Sequence, residues 1–403
     1  MRLYSSVLPL SILAALLLSM PPQGLTAQTA DLLDGCEASG SKASSSTSIS
    51  DDGDERRWRI SWSNDRCSIE MRAQGKFEIE PDLSDVRSME RGAFLEIDVR
   101  REGDRRRYEV SRNGDALERH YTVNRAEQPI DDEARRWIAA MMLELERRSG
   151  FAAPTRVGDM LRRGGPEAVM DEVARMSSDH VQGRYLSVLL DSARLDEPQV
   201  RRAIALSADE LQSDHQQAKF LASLGSRGYV TTAVASEFVR ATGSINSDHQ
   251  KGSALAAVLT LRDLPPAVVG ELLRASRTIS SDHERAKLLI ATADAHGFPD
   301  GVARDAYLEA AAGIGSDHQK QRVLSRLSKT DLSNEQLIAL LGVAKSIGSD
   351  HQLAELLVGI SRDRTLDGAA RDAYLAATEK IGSDHQRRRA LTALLGRSTR
   401  GTL

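Results

Sequence analysis

The tetrapeptide Ser-Asp-His-Gln, with small variations, returns seven times along this chain at an almost constant interval. Its histidines are His180, His215, His249, His283, His318, His351 and His385, spaced by 35, 34, 34, 35, 33 and 34 residues. A period near 34 is the mark of stacked helical hairpins, in which no single repeat buries its apolar face alone. The copies share longer strings as well, since ARDAYL begins at both Ala303 and Ala370. This feature bounds the fold more tightly than any other.

Residue by residue, the motif reads as a helix start. Ser178, Ser213, Ser247, Ser281, Ser316, Ser349 and Ser383 occupy the N-cap position, whose hydroxyl accepts from the third helical amide. Gln216, Gln250, Glu284, Gln319, Gln352 and Gln386 stand three residues on, as a capping box requires, and only Val181 breaks the pattern. The Asp at N1 suits the positive end of the helix dipole. Two residues before each Ser is a large apolar residue, from Met176 to Ile381, expected to pin the incoming chain. Eight residues after each Ser is a leucine, from Leu186 to Leu391, which opens an apolar stripe with helical spacing.

The histidine falls at N2. Three residues later come mostly small side chains (Gly183, Ala218, Gly252, Ala286, Ala354), which predict a close helix approach with the imidazole as a wedge at its end. A shared metal ion is disfavoured. Neighbouring helices lie about 8–10 Å apart, whereas zinc–nitrogen bonds are about 2.0–2.1 Å. Adjacent Asp and His diverge on a helix, so they form no catalytic dyad. HERAK at His283 approaches the zinc-peptidase pattern HExxH, but Lys287 stands where the second histidine belongs. His120 and His296 lie outside the motif and read as ordinary surface or turn residues. No catalytic residue, metal ligand or cofactor is therefore assigned.

Ahead of the repeats the pattern changes. Residues 56–125 alternate with period two, as in RWRISWS, where Trp58, Ile60 and Trp62 share one face. About six short strands are expected, forming a small antiparallel β-meander with tight turns at Glu102 and Asn113. A connecting helix is expected within 126–153, started by Asp131 or Asp132 and stopped by Gly150, with Ala134, Trp137, Ile138, Met141 and Leu145 as its stripe. Residues 28–55, rich in Ser, Gly and Asp, read as a flexible linker. Residues 1–27 read as a signal peptide: Arg2, then the fourteen-residue apolar run VLPLSILAALLLSM, then a cleavage site at Ala27. The run is short beside the ~20 residues of a membrane span, so no span is expected after cleavage. A periplasmic or secreted location follows, and it permits a disulfide between Cys36 and Cys67, with two separate thiols as the other reading.

The fold class expected is thus α+β: the β-meander, then a HEAT-like α-solenoid of about seven hairpins over 154–403. Aromatics at only 4 % suit stacked helices, and a net charge of −4 argues against nucleic acid as a partner. The repeats, with EQPIDDEARRWIAAMMLELERRSG before them, resemble a bacterial extracytoplasmic helical-repeat region found behind membrane zinc peptidases of the β-lactam-sensor type and in secreted proteins of unassigned function. The resemblance covers roughly 56–403. The peptidase domain is missing, so the resemblance implies sensing or partner binding and carries no catalytic residue over. The leading expectation is a non-enzymatic scaffold for a protein or peptide partner. The alternatives are an enzyme with a site where the two domains join, and a metal or pH sensor using the histidine ladder.

Overall fold

A computed structural model describes residues 44–51 and 56–398. The signal segment 1–27 and Cys36 lie outside the described residues. The chain divides into two compact units, residues 1–149 and 150–403.

The first unit is built on a seven-stranded antiparallel sheet in the order β1-β2-β3-β6-β7-β8-β9. Its strands are β1 (Ser44–Asp51), β2 (Arg56–Ser63), β3 (Cys67–Gln74), β6 (Phe94–Arg101), β7 (Asp104–Ser111), β8 (Glu118–Val123) and β9 (Ala126–Glu127). A separate hairpin pairs β4 (Phe77–Ile79) with β5 (Val86–Met89). The period-two alternation has its expected consequence: Ile60, Trp62, Ile69, Met71, Leu95, Ile97, Tyr108 and Val110 are all buried. The sheet is larger than the expected six strands. β1 falls inside the stretch read as a linker, because SSSTSISD, with a single isoleucine among its serines, has no apolar periodicity to betray a strand. Its pairing with β2, from Ser44 opposite Ser63 to Asp51 opposite Arg56, supplies backbone hydrogen bonds instead.

Glu102 and Gly103, with φ of 49° and 96°, make the two-residue turn expected between β6 and β7. Asn113 does not make one. It sits in a longer loop, where Arg112 is tied to the Met89 carbonyl at 2.7 Å and its amide to the Ala93 carbonyl. A second tight turn falls at Asn124 and Arg125, with φ of 51° and 70°, where Asn124 Oδ1 accepts from the Arg105 amide at 2.9 Å.

Helix α1 (Asp132–Ser149) belongs to this first unit and is not a free connector. Asp131 caps it, accepting from the Ala134 amide at 2.9 Å. Its stripe meets the apolar face of the sheet: Trp137 packs on Tyr121 with centroids 5.6 Å apart, and the Arg148 guanidinium lies 4.0 Å over Trp62. Cys67 is disulfide-bonded.

The second unit is an α-solenoid. It begins with α2 (Ala153–Val173), broken at Gly165, whose φ of 68° and ψ of −166° let Pro166 start a new segment. The motif helices are α3 (Asp179–Ser192), α5 (Asp214–Ser226), α7 (Asp248–Leu259), α9 (Asp282–His296), α11 (Asp317–Ser328), α13 (Asp350–Asp363) and α15 (Asp384–Ser398). Their partners are α4 (Glu197–Glu210), α6 (Ala235–Gly243), α8 (Pro266–Ser276), α10 (Gly301–Ala312), α12 (Asn334–Ala344) and α14 (Gly368–Thr378). Among the described residues the array therefore holds six complete hairpins, the broken α2 before them and α15 after them.

Motif helices stack on motif helices and partners on partners, in two layers. The expected apolar columns line the gap between layers. The residue two before each Ser is at most 4 % exposed in all seven copies. Leu186, Leu221, Leu255, Leu289, Leu324 and Leu357 are fully buried. Buried tyrosines join them and spend their hydroxyls on carbonyls, Tyr307 on Leu289 at 2.9 Å and Tyr374 on Ala390 at 3.0 Å. Burial pushes the Tyr374 phenol up to about 12, so both groups act as neutral donors at ordinary pH.

Candidate functional site

The Ser-Asp-His-Gln stretch lies at the N-terminal edge of each motif helix, and its four side chains have four different environments. Ser213, Ser247, Ser281, Ser316, Ser349 and Ser383 each accept from the amide three residues on, at 3.4 Å. Ser178 makes no such bond, and its φ of −103° stands apart from the −80° of Ser213 and the −68° of Ser281. Removing one cap, as in Ser316→Ala, is expected to lower stability by about 1 kcal/mol. Urea unfolding followed by far-ultraviolet circular dichroism measures it, and an unchanged midpoint would count against the cap.

The aspartate does more than meet a helix dipole. Asp282 accepts from the amides of Gly315 and Ser316, at 3.0 and 2.7 Å, in the turn that opens the following repeat. Asp214 does the same to Asn246 and Ser247, Asp248 to Ser280 and Ser281, Asp317 to Gly348 and Ser349, and Asp350 to Gly382 and Ser383. Each carboxylate thus latches one repeat to the next with two charge-assisted bonds.

This latch overturns the capping box. The amide of each latched serine is donated to the previous aspartate, so the N3 side chain has nothing to reach back for. A carboxylate is a stronger acceptor than the carboxamide found at N3 in every latched copy but Glu284, and its two oxygens engage both turn amides at once. Complete capping boxes occur elsewhere, at Asp196 with Gln199 and at Ser333 with Gln336, on partner helices. Glu284, so freed, lies over the preceding motif helix, its carboxylate 3.4 Å from His249 Nδ1. Gln216, which follows Ser213 outside the five latches, takes the same place: a Cβ on Gly183 would come within 2.6 Å of its Oε1, so glycine is what allows the approach.

A further column went unread in the sequence. The residue after N3 is Gln182, Gln217, Lys251, Arg285, Lys320 or Arg387, and the first five are at most 8 % exposed. These donors close carbonyls at the neighbouring turns: Gln217 bonds the Ala241 carbonyl at 3.1 Å, Arg285 that of Gly313 at 2.7 Å, and Lys320 that of Ser346 at 3.3 Å. The signal was available as a hydrogen-bond donor directly after the motif in every copy except Leu353.

The histidines are the remaining members, and all seven are exposed. The wedge expected from the small residues is absent, because N2 points outward once N1 has turned to the next repeat. His249 Nδ1 lies 3.4 Å from Glu284 and His351 Nε2 lies 3.3 Å from Glu355. Among the described residues no group of three or more His, Cys, Asp or Glu is placed to hold a metal ion. His296 also departs from expectation: its Nε2 is 2.7 Å from the Leu259 carbonyl, tying the end of α9 to the end of α7.

The polar face of the sheet is a second collection of charged groups. Glu96 and Asp98 are 7 % and 8 % exposed and carry Arg72, Arg107, Arg100 and Arg105 around them. A shallow depression of about 310 Å³ lies there between Arg105, Arg107 and Arg125. Arg107 pairs with Glu109 at 2.8 Å and His120 meets Glu127 at 3.2 Å, so part of the charge is answered within the depression itself. No protein-family model, no curated protein and no solved structure matches the chain.

Proposed function

We propose that the helical array is a non-enzymatic binding scaffold, acting outside the cytoplasm, that recognises a protein or peptide partner along its histidine edge. One observation carries this reading. Ser, Asp and the donor after N3 each have a structural task, whereas the histidine is exposed in every copy and yet is the same residue seven times. Exposed neighbours have diverged freely. The residue before each Ser is Ser177, Gln212, Asn246, Ser280 or glycine, all exposed. The residue thirteen after Ser is Asp191, Ser226, Thr260, Asp294, Lys329 or Arg362 in six successive copies, again exposed. Repetition alone would have let the histidine drift as these did. An identical exposed side chain on every repeat of a solenoid is what a periodic binding surface requires.

The test places a photo-crosslinking residue at Ser253, on the histidine edge, and in a second protein at Val302, 55 % exposed on α10. Both are irradiated in extract of the source cells. The expected result is a single adduct from position 253, reduced about tenfold by His215→Gln, His249→Gln and His283→Gln together. Equal adducts from both positions, or an adduct indifferent to the histidines, would refute the reading.

A further inference from the structure

We propose that the histidine edge takes an acidic polypeptide in an extended, polyproline-like conformation, with a carboxylate at every third residue. This rests on the histidine edge being the binding surface.

The first observation is a cation beside the histidine. Four residues after it stand Arg184, Lys219, Lys287, Arg322 and Arg389, with Ser253 and Glu355 in the two remaining copies. Residues four apart are neighbours on a helix surface, and the 3.3 Å contact of His351 with Glu355 shows this pair of positions touching. The second observation is how the cation is held. Gln319 Oε1 accepts from Arg322 at 2.9 Å, Gln386 Oε1 accepts from Arg389 at 3.3 Å, and Glu284 lies 3.8 Å from Lys287. The N3 side chain, released from capping, steers the cation toward the helix start where the imidazole is. The five latching aspartates point along the array into the next turn, each engaged by two amides, and so do not quench these cations.

Spacing then selects the ligand. Stacked helices set successive sites about 8–10 Å apart. A polyproline-type chain advances ~9 Å in three residues and returns the same face at each turn. A β-strand returns the same face about every 7 Å, so it falls out of step within a few repeats. Glu355 marks one site where the partner carries a neutral or basic residue instead.

The experiment uses the full chain and fluorescein-labelled peptides read by anisotropy. One peptide repeats Glu-Pro-Pro through seven triplets. A second carries the same number of glutamates at every second residue, and a third has Gln for Glu. Inorganic polyphosphate serves as competitor. The expected result is that the triplet peptide binds at least about tenfold more tightly than the second and that the Gln peptide does not bind. Lys219→Gln, Lys287→Gln and Arg322→Gln together should weaken it about tenfold, and Glu355→Lys should strengthen it. All four changes are at exposed positions, and unchanged circular dichroism confirms the fold. Absence of binding, equal binding of the two spacings, or a polyphosphate that outcompetes regardless of spacing overturns the proposal. If crosslinking at Ser253 remains histidine-dependent while the triplet peptide fails, the partner class is wrong and the edge stands. If both fail, the edge reading falls with it.

Discussion

Leu324→Ala is expected to lower the unfolding free energy by about 2–5 kcal/mol. Leu324 is fully buried in the middle of α11, between the two helical layers, where neighbours on both sides limit collapse into the cavity. The three tryptophans, Trp58, Trp62 and Trp137, all lie in the first unit. Tryptophan fluorescence therefore reports the sheet and circular dichroism at the helical band reports the array. The urea midpoint by circular dichroism should fall, and the fluorescence trace separates that loss from unfolding of the sheet. The same truncation at Leu395, 56 % exposed on α15, is expected to stay within about 0.5 kcal/mol. Equal effects at the two leucines would mean that the layer interface is not the core described above.

Asp282→Ala is expected to cost about 2–3 kcal/mol, with a different signature. Hydrogen bonds to charged groups contribute about 1.5–3 kcal/mol each. The bond to Gly315 is exposed, so water replaces part of it, whereas the Ser316 amide is partly buried and loses its acceptor. A solenoid is stabilised by each repeat and by each interface between repeats. Loss of one latch weakens an interface and leaves the helices on either side intact. The helical transition should therefore broaden or divide, while Leu324→Ala shifts it. Asp282→Asn should behave like Asp282→Ala, since a carboxamide offers one oxygen and turns its NH2 group toward the second amide. A sharp transition with an unmoved midpoint in both variants would show that the latch contributes nothing.

The two layers, the helix starts and the apolar columns were legible in the sequence because each is a local or periodic property. A serine cap, a leucine eight residues on and an isoleucine two residues before depend only on the chain's own helical geometry. The strands β2, β3, β4, β6 and β7 were legible for the same reason, through period two. The strand β1 was not, since its serines carry no apolar alternation and its hydrogen bonds come from a neighbour.

The functional residues divide along the same line. The sequence by itself determined that a Ser, an Asp, a His and a Gln would recur at equivalent places on an array of hairpins. Only the tertiary structure decided what each does. The contact that orders them runs from Asp282 to Ser316, and its equivalents run from one repeat to the next across more than thirty residues. That contact takes the serine amide from the glutamine, turns N1 sideways and leaves N2 facing water. An inter-repeat hydrogen bond has no local signature, so the exposed histidine edge became visible only once the repeats were stacked.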